Sequence, residues 1–310
     1  MPPAVPVAAS SAPSLDLDPS LATWGALGAL VAAMLAIDLL VFARDHTPRM
    51  REAAAWSVVW LVVAVAFGAA FWAWQGGEAG GQFFAGYLLE RTLSLDNVFV
   101  FAVIFAYFAV PAAVQPKVLS WGIALALVLR LALIVAGAAL LDTVHATFYV
   151  FGAVLLFTAW KLVRREGHEV APERNRALRL LPKRLRARPL VVVFVVVATT
   201  DIVFAIDSIP AIFAVTSEPF VVFAANAFAV LGLRALYFLL AGMMDRFVYL
   251  SHGLALILAI IGAKMLLIDV WHPPIWVSLG VIVAVLAATV ALSLLHGTLD
   301  ELEPEAGAKL

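Results

Sequence analysis

The stretch Leu190-Val-Val-Val-Phe-Val-Val-Val-Ala198-Thr-Thr-Asp201-Ile-Val-Phe-Ala-Ile-Asp207-Ser208-Ile-Pro210-Ala-Ile-Phe-Ala-Val215 decides the fold. As a helix rising about 1.5 Å per residue, it is long enough to cross a hydrocarbon layer of about 30 Å. It is nearly all apolar, yet it places two carboxylates near its centre. A charge at that depth costs about 2.5–3.5 kcal/mol on insertion scales. A span that keeps two of them needs partners for them, or a use.

The rest of the chain has the same character. Hydrophobic residues make up 64% of the 310 and charged residues 13%, about half the charge of an ordinary soluble domain. Apolar runs of membrane-spanning length lie near 21–43, 52–74, 82–109, 118–141, 144–163, 190–215, 219–244, 252–270 and 275–296. The expected fold is therefore all-α, a polytopic membrane protein of about nine transmembrane helices. A net charge of −1 offers no basic surface for nucleic acid. Cysteine is absent, which removes disulfides and thiolate metal sites together.

Topology is read from Lys and Arg. One set of alternate loops, together with the C-terminal tail, holds Arg44, Arg49, Arg51, Lys117, nine basic residues from Arg164 to Arg188, Arg246 and Lys309. The other set holds none, and Arg91, Arg130, Lys161, Arg234 and Lys264 fall inside spans. The N-terminus is thus expected outside and the C-terminus in the cytoplasm. Residues 1–20 carry no Lys or Arg, unlike a signal peptide, and read as a disordered extracytoplasmic tail. A single membrane domain follows over 21–296, with a basic cytoplasmic loop at 164–189. Residues 297–310 read as an acidic cytoplasmic tail.

The quoted stretch has a counterpart. Glu90-Arg-Thr-Leu-Ser-Leu-Asp96-Asn97-Val-Phe repeats the order of an acid, five residues, an aspartate and a small hydrogen-bonding side chain. Further matches are Leu129-Arg130-Leu131 with Leu233-Arg234-Ala235, Asp142 with Asp245, and Lys161 with Lys264. Matching Asp96 with Asp201 instead would strand Asp207. The repeated unit is three helices, 82–163 and 190–270, preceded by two leading helices in 21–74 and followed by a last helix at 275–296. An odd number of spans turns the second copy over, which gives an inverted repeat of two three-helix units. Transporters built this way bind their cargo near the midplane between the repeats.

The chemistry follows from charge. Glu90, Asp96, Asp201 and Asp207 lie within about 9 Å of the centres of their spans at a rise of about 1.5 Å per residue. Asp38 in the first span adds a fifth acid. Arg130 and Arg234 are the mid-span cations, and Arg91 can pair locally with Glu90. The remaining acids must be protonated or must meet a cation. Asp96 with Asn97, and Asp207 with Ser208, can converge from facing spans. Oxygen-only ligands suit Mn²⁺, Mg²⁺ or Ca²⁺, and no histidine lies deep in a span. Pro210 removes a backbone donor and frees a carbonyl, which reads equally as a kink or as a further ligand. Asp38 can snorkel, pair with Arg44, or join the site. Lys161 and Lys264 near span ends can snorkel, and Trp24, Trp72, Trp74, Trp271 and Trp276 read as interfacial belts.

Ser94-Leu-Asp96-Asn97-Val-Phe and Asp201-Ile-Val-Phe-Ala-Ile-Asp207-Ser208-Ile-Pro210-Ala-Ile-Phe-Ala-Val-Thr216 resemble the TerC family. Ala36-Ile-Asp38-Leu-Leu, Ala55-Trp56-Ser57 and Leu231-Gly-Leu-Arg234-Ala-Leu-Tyr237-Phe-Leu-Leu look like its Alx-type branch. The resemblance covers roughly residues 20–296. It implies a bacterial inner-membrane protein associated with Mn²⁺ efflux, metal homeostasis and tellurite resistance. Its intramembrane acidic motifs correspond to Glu90, Asp96, Asn97, Asp201 and Asp207. One departure is Ala198, where similar proteins often carry glutamate.

The function expected is therefore export of a divalent cation by alternating access, with Mn²⁺ the transported ion and no tightly bound cofactor. Asp96 and Asp207 would be direct ligands, supported by Asn97 and Ser208. Glu90 and Asp201 would line the pathway or exchange protons, with protons as a coupling ion, and Arg130 and Arg234 would balance charge. The competing readings are a scaffold whose acids form a structural ion-pair network, an exporter of another small solute, and an intramembrane aspartyl protease. The last lacks a Gly-x-Gly-Asp element.

Overall fold

In a computed structural model the described residues are 17, 19–41, 49–164, 178, 181–186, 188–240, 249–271 and 273–307. Most of the N-terminal tail, Arg44, most of the basic 164–189 segment, Asp245, Arg246 and Lys309 lie outside them. The described residues are helical, with no strand among them. The helices are α1 (Leu21–Val41), α2 (Met50–Gln75), α3 (Gly77–Tyr107), α4 (Gln115–Thr143), α5 (Ala146–Arg164) and the short α6 (Lys183–Arg186). They continue as α7 (Pro189–Phe213), α8 (Pro219–Leu231), α9 (Leu233–Leu240), α10 (Leu250–Leu266) and α11 (Ile275–Gly307).

Helix is what these apolar runs must form, because hydrocarbon offers no partner for backbone polar groups. Each of the nine expected runs is mostly helical over its described residues, with the run 219–244 broken at Gly232 and the run 252–270 leaving the helix after Leu266. Six helices (α1, α2, α4, α5, α7 and α11) are long and apolar enough to cross a membrane, and the bent pair α8–α9 makes a seventh if it is one span. α3 is 31 residues long but carries Glu90, Arg91 and Asp96 in mid-helix. The last helix continues to Gly307, so the expected acidic tail is helical over 297–307.

Local sequence sets the helix ends. Proline opens α4, α7 and α8 in the first turn, where its missing N–H is not needed. Gly76, at φ +92°, is the whole connection between α2 and α3, and its N–H closes onto the Trp72 carbonyl at 2.8 Å. A residue with a Cβ is strained in that backbone region. Pro210 sits inside α7, and the helix ends three residues later at Phe213.

The main pairings are α5 with α10, α3 with α8, and α4 with α7; α2 and α11 pack on α3, and α1 lies against α8. α3 and α8 run parallel: Phe83 meets Phe228, and Phe105 meets Tyr237 on α9. α5 and α10 run antiparallel. Leu162 near the end of α5 packs with Leu250 and Leu254 at the start of α10. At the other end, Tyr149 hydrogen-bonds Asp269, and His145 Nε2 lies 3.3 Å from the same carboxylate.

The α5–α10 crossing rests on small residues. A Cβ added at Gly152 would sit 2.9 Å from the Gly262 carbonyl oxygen, and one added at Gly262 would sit 3.0 Å from that of Gly152. Backbones this close gain dispersion contacts that a larger side chain would remove. Gly152→Leu is expected to destabilise the protein by about 1–3 kcal/mol through overpacking. Thermal unfolding of the purified protein in detergent, against Ala153→Leu on the exposed face of the same helix, checks this.

Candidate ion site

Glu90 on α3, Arg130 on α4 and Asp201 on α7 are all buried and meet at one point between their helices. Arg130 Nη1 donates to Glu90 Oε1. Its Nη2 lies 3.4 Å from Asp201 Oδ1, and Nε lies 3.5 Å from Oδ2. The guanidinium fork suits this task, since it presents several donors in a plane and stays charged. Two carboxylates on one guanidinium leave a net negative centre, and Glu90 Oε2 has no hydrogen-bond partner in the protein. Beside Asp201 is a cavity of about 10 Å³, bounded by Gly122, Val197, Val230 and Leu233, close to the roughly 10–15 Å³ that one water needs.

A second buried pair lies away from the first. Arg234, at the start of α9, sits 2.9 Å from Asp38 Oδ2 on α1. The same guanidinium donates to the Asp38 carbonyl and to Ser120 Oγ on α4. Ser120 in turn donates to the Pro116 carbonyl at 2.8 Å. Asp38 is 1% exposed, so it does not snorkel; Arg44, the other partner expected for it, lies outside the described residues. Asp38 faces inward because α1 packs across the bundle, a contact that spacing along the chain does not reveal.

Arg91 does not pair with Glu90. Its Nη1 donates to the Ala229 carbonyl at 2.9 Å, in the last turn of α8. There the helix bends by 41° into α9 at Gly232. The break leaves late carbonyls of α8 short of helical donors, and the guanidinium supplies one. A Cβ on Gly232 would come within 2.8 Å of Arg91 Nη1, so the small residue and the arginine fit together.

The remaining expected site residues are placed as follows. Asp207 is half-buried and accepts a hydrogen bond from Thr158 Oγ1 on α5 at 2.9 Å. Lys161 lies one turn further along α5 and is half-buried. Ser208 and Asn97 are buried, and Asp96 is half-buried on α3. Lys264 turns inward instead of snorkelling, donating to the Ala214 carbonyl at 3.1 Å and to Ser278 Oγ at 3.2 Å. Ala214 caps the C-terminal end of α7, where a cation is favoured by the helix dipole. Trp24 packs against Phe220 and Phe223, and Trp72 against Trp276. Among the described residues no three His, Asp or Glu side chains are grouped to hold a metal ion.

Four residues of these sites escaped the sequence reading. Ser120 and Thr158 give no signal, because a helical Ser or Thr ordinarily satisfies itself on a nearby carbonyl. Gln82 and Asn226, both 0% exposed, could have been found by the rule that singled out the acids, since a lone amide in an apolar span is also costly.

The profile described as "Integral membrane protein TerC family" matches residues 75–298. The chain belongs to the TerC family. Among its relatives is an Escherichia coli K12 protein provisionally named membrane-bound redox modulator Alx. It is 44% identical over 296 residues, covering 86% of this chain and 92% of the relative. A Myxococcus xanthus protein, described as the uncharacterized membrane protein STKORF319, is 44% identical over 292 residues, covering 88% and 92%. No solved structure matches this TerC family member. Together with its helices, the family makes it an integral multi-pass membrane protein.

Removing Arg130 would strand two buried carboxylates, which typically costs about 3–5 kcal/mol. Arg130→Met is expected to lose folded protein in detergent. Adding Glu90→Gln and Asp201→Asn to it is expected to restore most of the stability. Size-exclusion yield and thermal unfolding of the single and triple variants measure this.

Proposed function

We propose that this protein exports a divalent cation across the bacterial inner membrane, with Mn²⁺ as the cargo. The observation that carries the proposal is the meeting of Glu90 and Asp201 on Arg130. The two acidic motifs of the chain, far apart in sequence, converge on one buried centre with more acid than base. A centre with that excess favours a cation or protons. Asp96 and Asp207, supported by Asn97 and Ser208, are the proposed ligands. Glu90 and Asp201 lend themselves to proton exchange, with protons or the membrane potential driving export. The oxygen-only donor set favours a hard divalent ion.

The architecture we propose is nine spans, with α3–α5 and α7–α10 as an inverted repeat, the N-terminus outside and the C-terminus cytoplasmic. Three features support it. The pairing of α3 with α8 and that of α4 with α7 exchange when the two halves exchange. The third helices of the two halves, α5 and α10, run antiparallel. Carrying the match of Lys161 with Lys264 along them pairs Gly152 with Ala255, Leu155 with Leu258 and Ala159 with Gly262, and all six are buried.

The name of the Escherichia coli relative speaks of redox modulation. This chain has no cysteine, so a redox role here would not run through its own thiols. Changing the concentration of a redox-active metal would be an indirect route to the same effect. A scaffold reading is favoured by the same ion pairs, because Asp38 and Arg234 are well matched without any cargo. It makes Asp96 and Asp207 dispensable for ion movement, whereas the exporter reading does not.

The test is ion flux in proteoliposomes for Mn²⁺, Mg²⁺, Ca²⁺ and Zn²⁺, with a pH reporter inside. Mn²⁺ movement is expected, reduced at least tenfold by Asp96→Asn and by Asp207→Asn in protein that still folds. Absence of Mn²⁺ movement under any gradient, or full activity in both variants, would overturn the proposal.

A further inference from the structure

Buried amides are expensive when nothing bonds to them, and native proteins pair nearly all of their buried polar groups with protein or with water. Gln82 on α3 and Asn226 on α8 are both 0% exposed. Neither atom of either amide has a hydrogen-bond partner. Glu90 Oε2, Ser94 Oγ and Ser208 Oγ are buried and unpartnered as well. These five side chains are not scattered through the bundle.

Gly86 fixes the level. A Cβ placed on it would lie 3.2 Å from Ala225 Cβ on α8 and 3.4 Å from Ile212 Cγ2 on α7. Gln82 is one turn from Gly86 on the side where α3 begins, and Asn226 adjoins Ala225. Glu90 is one turn from Gly86 in the other direction, and Ser94 two turns. Ser208 is one turn from Ile212 toward the middle of α7. At about 100° per residue, Gln82, Gly86, Glu90 and Asn97 fall within about 80° of the α3 circumference. Asp201, Ala205, Ser208 and Ile212 fall within about 60° on α7. All eight are buried. One turn beyond Asn226 on α8 is Val230, which bounds the small cavity against Asp201. The polar face of each helix therefore leads from the end of the bundle where α3 begins to the charged centre.

We infer that Gln82 and Asn226 line a hydrated route connecting that end of the bundle with the Glu90–Arg130–Asp201 centre. The amides stand in for bulk water along the route, each offering a donor and an acceptor to a file of waters or to a hydrated cation. Between the two levels Gly86 puts no side chain in the way, at the point where α3 lies close against Ala225 on α8 and Ile212 on α7. The inference rests on the export reading for its cargo alone. With the N-terminus outside, the route is the extracytoplasmic half of the pathway.

The chain contains no cysteine, so each single-cysteine variant presents one thiol. Full-length Gln82→Cys and Asn226→Cys in native membranes are treated with a small, cationic, membrane-impermeant methanethiosulfonate. Phe228→Cys, buried among Phe67 and Phe83, and Val203→Cys, on the exposed surface of the bundle, serve as controls. Labelling at 82 and 226 is expected at least tenfold faster than at either control. Labelling no faster than the controls at both positions overturns the route. In parallel, Asn226→Leu is expected to lower Mn²⁺ efflux at least tenfold while Asn226→Ser keeps most of it; undiminished efflux in Asn226→Leu overturns the lining role. The two readings separate cleanly. Labelling without Mn²⁺ movement in the unaltered protein supports the route and removes the cargo, and Mn²⁺ movement without labelling overturns the route and keeps the cargo.

Discussion

The bundle is organised around one guanidinium. Arg130 is 1% exposed and holds a carboxylate from α3 and another from α7. Inside hydrocarbon neither acid can remain ionised alone, and the arginine cannot lose its charge. Two consecutive helices, α3 and α4, and a third far along the chain, α7, are thus obliged to meet there. Apolar side chains enclose the point, with Val197 and Ala205 on α7 and Ile123 and Ala126 on α4 all buried. Ion pairs of this kind contribute little net stability against an apolar alternative, but they specify which helices belong together. The acid left in excess then becomes the chemical resource of the site.

The two arginines that match in sequence do different work. Arg130 joins the two acidic motifs, whereas Arg234 turns to Asp38 on α1, outside the proposed repeat. Arg91 accounts for the difference. It reaches across to the Ala229 carbonyl at the end of α8, and its matched position in the second motif is Ile202. The guanidinium, the bend at Gly232 and the start of α9 form a unit that sets where Arg234 lies. In the proposed repeat, one half thus has an unbroken second helix, α4, and the other a broken one, α8–α9. Discontinuous helices of this kind are where membrane transporters expose backbone charge to their cargo.

The closest-packed helices, α5 and α10, carry no charge where they cross. Gly152 and Gly262 let α5 and α10 cross with backbones in contact, and the groups that titrate or hydrogen-bond sit at the ends of that crossing: His145, Tyr149 and Asp269 at one end, and Thr158 and Lys161 toward Asp207 on α7. Lys264 fastens the end of α10 to the C-terminus of α7.

How much of this was legible beforehand depends on the physics involved. Hydrophobic runs and their lengths are local, and hydrocarbon leaves helix as the only open structure for them, so the all-helical membrane fold and the approximate places of the long helices could be read from the residues alone, but not the break at Gly232. The cost of burying charge is also local, which is why Glu90, Asp96, Asp201, Asp207, Arg130 and Arg234 stood out without any structure. Pairing is not local. A carboxylate is drawn equally to any cation within reach, and nothing in the spacing of Glu90 and Arg91 says that the first turns to α4 and the second to α8. Asp38 found Arg234, and Lys264 turned inward to a helix end, because α1 and α10 pack where only the assembled bundle puts them. The sequence by itself determined which residues would be buried at a cost. The tertiary structure decided which of them answer one another, since electrostatic partners are chosen by distance in space and not along the chain.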